Sequence, residues 1–334
     1  MSVLWAANED ISFPHGTWPL LNTNYVGLSN RYVMAAGLNV TANPTFAPCI
    51  GKTWPGGAIT SGWLHFRGGG SITNFSTNSM IAGLTHSSKT MGEGLWLAAD
   101  SPVSRLRLGT WNGTAFTELA TETGNSLGVN GSYNFDMQFI DYGDSAAEVN
   151  VYFQGALVIN YTGDIDISGL SSLNRVAFYG DNTNSRFLFS EFVVADEDTR
   201  QMRAHTLYLS GTGGTNQCTG AYTDIDEATS SDADVIYSNG TDQVFQGNLS
   251  ALYAGNWGVR GVIETVRAAK SADSTPTGLA IGVLSGTSSD DGTSSTLSIV
   301  YDTYERLMTI NPTTTSGWSS AEVDALQLQL KTKA

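Results

Sequence analysis

Polar and apolar residues alternate with a period close to two along most of the chain. Residues 134–139 alternate strictly, as a strand with one buried face requires. Residues 148–153 and 156–161 have the same strand character and are separated only by Gln154 and Gly155. Because glycine readily supplies the positive φ of a two-residue turn, this stretch predicts a β-hairpin.

Other segments on both sides of this hairpin extend the same pattern. The Asn-Gly pair at 112–113 predicts a second hairpin turn, and residues 186–194 are apolar at both phases, as in a strand covered on both faces. Helical spacing is scarce. Ser319 and Glu322 have the spacing of a capping box and predict a short helix. Residues 326–330 alternate again and predict a final strand.

A domain boundary is predicted near residue 200. Residues 195–200 form a charge cluster after an apolar strand, and a new alternating run begins at 205–209. We therefore divide the chain into residues 1–200 and 201–334. Each half contains short strands, turn signals and little helix, which predicts an all-β protein built from two sandwiches.

Composition narrows the classes of function. The 334 residues carry a net charge of −15, although only 14% of them are charged, and 41% are hydrophobic. The apolar content excludes intrinsic disorder, and the acidic balance argues against a nucleic-acid partner. No apolar run reaches the length of a membrane span, and the first residues have no basic and apolar signal pattern, so we expect neither membrane insertion nor a secretory leader. The widely separated Cys49 and Cys218 favour two lone thiols, with a disulfide as the alternative.

Residues 139–144 and 149–158 carry a family resemblance. Between about residues 60 and 200 the chain resembles the laminin-G/concanavalin A-like superfamily, in which a strand pair of the form V-Y-x-x-G-x-L-V is common. The resemblance implies a jelly-roll sandwich for residues 1–200. This fold occurs in lectins, adhesins and enzymes, so it does not define a function by itself.

The C-terminal half carries a second resemblance. Residues 222–227, 232–234, 266–270 and 311–326 are similar, in order, to a domain at the end of many structural proteins of tailed bacteriophages. The resemblance implies a component of a phage or gene-transfer-agent particle, located on its outer surface and made in the host cytoplasm. Implied partners are other virion proteins, further copies of the chain in a trimer, and a host surface polysaccharide.

A catalytic constellation is not found in the sequence. Paired carboxylates at glucanase spacing are missing, and residues 322–324 are the closest imitation. We expect no catalytic residue, no metal ligand and no cofactor. Laminin-G-like domains often hold calcium at a sandwich rim, so Ca²⁺ is an alternative for residues 164–166, 224–227 and 289–292, where we favour solvated acids. The histidines match no zinc pattern: His15, His65, His86 and His205.

Aromatic residues beside turns are the candidate glycan-binding residues. Trp54, Trp111 and Tyr142 each adjoin a glycine-containing turn, where a loop would expose a ring for stacking on a sugar. The alternative for each is a core or subunit contact. Trp63, between apolar neighbours, is expected in the core.

Three hypotheses of function follow from the sequence. The first is a non-enzymatic virion protein, as a head decoration, spike or tail fibre, that contributes to attachment to host glycans. The second is a free carbohydrate-binding adhesin or lectin, and the third is a polysaccharide-degrading enzyme. The resemblance of the C-terminal half favours the first.

Overall fold

The structure is a computed structural model. It describes residues 3–7, 33–35, 49–54, 56–71, 79–89, 93–100, 105–124, 127, 131–167, 169–179, 186–226, 232–252, 257–273 and 275–334. The chain divides into two units at Ala204 and His205, four residues beyond the predicted boundary.

The first unit contains thirteen named strands: β1 Val3–Ala7, β2 Val33–Ala35, β3 Cys49–Thr53, β4 Gly62–Ser71, β5 Ser79–Thr85, β6 Gly94–Asp100, β7 Arg105–Trp111, β8 Phe116–Thr121, β9 Gly131–Ile140, β10 Glu148–Phe153, β11 Ala156–Thr162, β12 Arg175–Tyr179 and β13 Arg186–Ala195. They form two antiparallel sheets. The first sheet has the order β1-β13-β4-β9-β10-β11, with β2 beside β13, and the second has the order β3-β12-β5-β6-β7-β8. The unit is a two-sheet jelly-roll sandwich, as predicted.

The main core lies between the two sheets. On β9 the predicted alternation directs Phe135, Met137 and Phe139 into this core, where each is almost fully buried. The second sheet contributes Leu95 and Leu97 from β6. Burying a side chain of this size contributes about 1.5–3 kcal/mol, so the alternation explains why these segments form strands.

The hairpin predicted at Gln154 and Gly155 is confirmed. Strands β10 and β11 end at the predicted residues on either side of the turn, and φ is 51° at Gln154 and 81° at Gly155. Two consecutive positive φ angles define a turn whose twist matches that of the flanking strands. The turn pairs Phe153 with Ala156, and a register shift between Tyr152 and Val151 then brings Asn150 opposite Asn160.

The second unit contains eight named strands and one short α-helix: β14 Leu209–Asn216, β15 Val244–Leu249, β16 Val262–Ala268, β17 Gly278–Ser285, β18 Ser288–Asp290, β19 Ser294–Thr296, β20 Asp302–Met308, α1 Ser320–Asp324 and β21 Leu326–Lys333. The sheet order is β14-β15-β21-β17-β18, with β19 beside β17, and β16 pairs with β20 in a separate ribbon. The protein is therefore all-β with a short C-terminal helix, as predicted.

The predicted end of the chain is confirmed in detail. Ser319 is the N-cap of α1, and its side chain accepts a hydrogen bond from the backbone N–H of Glu322. The Glu322 carboxylate accepts from the Ser319 hydroxyl at 2.7 Å and from the backbone N–H of Ser319 at 2.8 Å, and these two hydrogen bonds lower the pKa of this carboxyl. The predicted final strand follows as β21.

Cys218, in the same unit, is a free thiol whose pKa is raised by burial.

Candidate functional site

The three aromatic residues predicted to bind glycans are buried. Trp54, Trp111 and Tyr142 are 2%, 1% and 2% exposed, so the expectation that their rings face solvent is wrong. Trp54 Nε1 donates to the Gly57 carbonyl at 2.6 Å, and Trp111 packs in a cluster on the side of the second sheet that faces away from the main core. Burial raises the pKa of Tyr142 to about 12. A neighbouring turn glycine places the backbone near the surface but does not determine the direction of the ring.

The first sheet carries two cross-strand rows on the side opposite the main core. Successive side chains in a strand point to opposite faces of the sheet. The residues of these two rows therefore alternate along β4, β9 and β10 with the residues that point into the core. We call this surface the amide face. Its first row is Trp63, Gln138, Asn150 and Asn160, and its second row is His65, Asp136, Tyr152 and Leu157.

The three amides of the first row are joined by hydrogen bonds. Asn160 Nδ2 donates to Asn150 Oδ1 at 2.6 Å, and Asn150 Nδ2 donates to Gln138 Oε1 at 3.2 Å. Asn160 is exposed, and the other two are half-buried. A carboxamide has two N–H donors and an oxygen with two lone pairs, so each amide retains hydrogen-bonding capacity after making the row. The row therefore presents oriented donors and acceptors on an open part of the sheet.

Two aromatic rings adjoin the amides beneath an arginine. Trp63 and Tyr152 stack with ring centroids 5.6 Å apart and an interplanar angle of 24°. The Arg200 guanidinium lies 5.6 Å from the Trp63 centroid and 4.5 Å from that of Tyr152, as in a cation–π contact. Asp198 holds this guanidinium through both carboxylate oxygens, and the pair lowers the pKa of Asp198 and raises that of Arg200. Trp63 was predicted to lie in the core. It is buried, but on the opposite side of the sheet from the main core.

The histidine of the amide face belongs to a buried network. His65 Nδ1 lies 2.8 Å from Asp136 Oδ1, and the same oxygen accepts a hydrogen bond from Thr199 Oγ1 at 2.8 Å. His65 and Thr199 are fully buried, and Asp136 is 1% exposed. The segment that contains Thr199 and Arg200 therefore covers the only imidazole that the described part of the chain places on this face. A ligand on the surface cannot reach that imidazole.

A small polar cleft occupies a different part of the first unit. It has a volume of about 420 Å³ and is lined by Lys89, Glu93, Thr110, Asn112, Thr117, Asp166 and Ile167. A hydrogen bond with Asp164 is the main cause of a raised Asp166 pKa. The cleft thus contains part of one acidic segment considered for calcium, and none of the described residues that line it is aromatic.

A second acidic segment is engaged by basic side chains. Asp290 pairs with Arg306 at 2.6 Å, and Asp291 pairs with Lys331 at 2.7 Å. In the third segment, Asp224 accepts a hydrogen bond from the backbone N–H of Ala221 at 2.8 Å. No cluster of three or more His, Cys, Asp or Glu side chains suited to a metal occurs among the described residues. No helix within these same residues has the length and hydropathy needed to cross a membrane.

The amide face was missed by sequence reasoning that concentrated on aromatic residues beside turns. A signal was present, because Gln138, Asn150 and Asn160 all lie at positions where the alternation directs side chains away from the core. The predicted hairpin brings the two strands of Asn150 and Asn160 together, but their pairing depends on a register shift that the sequence did not indicate. The distant pairing of Gln138 with Trp63 had no local signal.

Comparisons with known proteins found distant structural similarities only. No protein-family model matches the chain, and the search of curated proteins found no match. Among solved structures, the carbohydrate-binding module CBM66 from Bacillus subtilis has 10% identity and a TM-score of 0.32, covering 44% of this chain and 81% of the module. The PL-14 alginate lyase from Aplysia kurodai has 10% identity and a TM-score of 0.42, with coverages of 59% and 100%. The alginate lyase vAL-1 from Chlorella virus has 10% identity and a TM-score of 0.39, with coverages of 58% and 92%.

Proposed function

We propose that this chain is a non-enzymatic structural component of a phage-like virion that attaches to a surface glycan through the amide face. The observation that carries the glycan part is the hydrogen-bonded row of Gln138, Asn150 and Asn160 on the open side of the first sheet. Sugar hydroxyls both donate and accept hydrogen bonds, as these amides do. The exposed Leu157, in the adjacent row, supplies apolar contact for the C–H face of a sugar ring.

The proposal that the chain is not an enzyme is supported by the burial of the histidine and aspartate of the amide face, His65 and Asp136. General acid–base catalysis needs a titratable group within hydrogen-bond reach of the substrate. On the amide face, His65 and Asp136 bond to each other beneath Thr199 and Arg200. They therefore organise the sheet and the covering segment, and a bound glycan contacts amides in their place.

The virion part of the proposal is supported by the ordered resemblance of the C-terminal half to phage structural proteins. A second support comes from the exposed apolar side chains of that unit. Ile299, Val300 and Ile310 are 65%, 66% and 53% exposed. Ile299 and Val300 are consecutive with Tyr301, which is 36% exposed, and contiguous exposed apolar surface is typical of protein–protein contacts. We therefore assign the second unit to contacts with virion partners or further copies in a trimer, and the first unit to the glycan.

Glycan binding is tested with Asn150→Ala and Asn160→Ala on an array of purified bacterial surface polysaccharides. Losing one or two hydrogen bonds of about 1 kcal/mol each corresponds to roughly five- to thirtyfold weaker binding. Asn239→Ala, at an exposed turn of the second unit, is the matched control and should bind as the wild type does. Equal binding by all three variants, or binding of no polysaccharide by the wild type, would contradict the proposal.

The virion role is tested separately from glycan binding. Mass spectrometry of purified particles should detect the chain at a fixed ratio to the major capsid protein, and electron microscopy of labelled particles should place it on their outer surface. A particle preparation that lacks the chain would overturn the virion role and leave a free glycan-binding protein.

A further inference from the structure

The arginines on and beside the amide face already lie next to carboxylates of the protein. Arg200 is held by both oxygens of Asp198, and Arg67 and Arg203 lie 3.8 and 3.9 Å from the oxygens of Glu191. Asp198, like any aspartate of ordinary pKa, is ionised at neutral pH, and its hydrogen bonds with Arg200 lower its pKa further. An acidic sugar would therefore have to compete with a protein carboxylate for each of these guanidinium groups.

The groups left for a ligand are uncharged or acidic. Beyond the amide row, β9, β10 and β11 place Ile140, Glu148 and Thr162 side by side on the same face. No basic side chain pairs with Glu148 among the residues that the structure describes. A carboxylate on the ligand would approach this acid without a compensating cation, in a protein whose net charge is −15.

The amide row also limits the size of the ligand segment. Gln138, Asn150 and Asn160 lie on three adjacent strands, so the row spans two strand spacings, or about 10 Å. It ends at the edge strand β11 on one side and at Trp63 beneath Arg200 on the other. Two pyranose rings laid across the strands fill this length.

We propose that the amide face selects uncharged glycans, through about two neutral sugar units laid along the amide row, and discriminates against uronate, sialate or phosphorylated sugars. This inference rests on the proposed glycan binding and names its ligand class. Neutral hydroxyl and acetamido groups match the spare donors and acceptors of the three amides, and they require no ion pair to break.

The test compares neutral polysaccharides with their own carboxylated forms. The neutral set consists of immobilised dextran, mannan, galactan and neutral bacterial surface polysaccharides. Each is compared with a derivative in which free primary hydroxyls, where present, are oxidised to carboxylates. Alginate and carboxyl-reduced alginate form a further pair. We expect binding to at least one neutral polymer, at least tenfold weaker binding to a carboxylated counterpart, and less than a twofold change between 50 and 500 mM NaCl. A salt-dependent preference for the acidic polymers that Asn150→Ala weakens would overturn this inference and leave glycan binding intact. Binding to neither group would overturn glycan binding itself.

A single substitution provides a gain-of-function test. Asp198→Asn removes the carboxylate that neutralises Arg200 while retaining a side chain of similar size. We expect this variant to bind the oxidised polymers several-fold more tightly than the wild type, with unchanged affinity for the neutral ones. The gain should disappear in 500 mM NaCl, because an accessible ion pair is screened by salt. No gain at 50 mM NaCl would show that pairing of Arg200 does not cause the discrimination.

Discussion

Replacing Asp136 with alanine should destabilise the first unit strongly. Asp136 is 1% exposed and accepts hydrogen bonds from His65 and Thr199, each at 2.8 Å and each from a fully buried side chain. Its removal leaves two buried donors without an acceptor. Each unsatisfied buried group costs about 1–3 kcal/mol, and removing one partner of a buried pair costs about 3–5 kcal/mol. We therefore expect the free energy of unfolding to fall by about 3–5 kcal/mol. For a unit of this size, that corresponds to a decrease in Tm of roughly 6–20 °C.

Thr199→Val is the matched comparison for this prediction. It retains the shape of the side chain and the His65–Asp136 contact but removes one hydrogen bond, so the expected loss is about 1 kcal/mol. Urea unfolding followed by tryptophan fluorescence measures both variants, because most of the eight tryptophans lie in the first unit. Limited proteolysis should show faster cleavage near residue 200 in both.

The reasoning would be refuted if Asp136→Ala lost less than about 1 kcal/mol, or if Thr199→Val were equally destabilising. The first result would mean that water or a rearranged side chain satisfies His65 without Asp136. The second would place the energetic cost in the covering segment and not in the buried carboxylate.

Two further predictions concern the second unit. Burial raises the pKa of Glu264 well above its ordinary value; the charge of Arg306 opposes this rise and that of Asp290 adds to it. Neither carboxylate oxygen of Glu264 has a hydrogen-bond partner among the described residues. The favourable contribution of Glu264 is complete below the unfolded pKa of about 4.3 and is lost as the pH rises through the folded pKa, so Glu264→Gln should gain stability relative to the wild type between pH 4 and pH 8. Parallel pH profiles of urea unfolding for the two proteins would contradict this. Ser319→Ala should cost about 1 kcal/mol through loss of the α1 cap, measured by the same unfolding assay, and an unchanged midpoint would show that the capping box contributes nothing.

Local patterns predicted much of the framework. The turn at Gln154 and Gly155, the capping box at Ser319 and the alternation on β9 depend on residues close together in sequence, and each is present as predicted. The candidate site was predicted less well. Trp54, Trp111 and Tyr142 were selected for their nearness to turns, yet their side chains pack inward.

The sequence by itself determined the all-β class, the phase of many strands and the low charge, because strand periodicity, turn geometry and charge are local properties of the chain. Only the tertiary structure decided which outward-facing residues meet. The row from Trp63 through Gln138 to Asn150 joins β4, β9 and β10, and Arg200 reaches it from beyond β13. These contacts arise because packing two sheets around one core selects a register for strands far apart in sequence. That register buries His65 and leaves the amides of Asn150 and Asn160 on the open face.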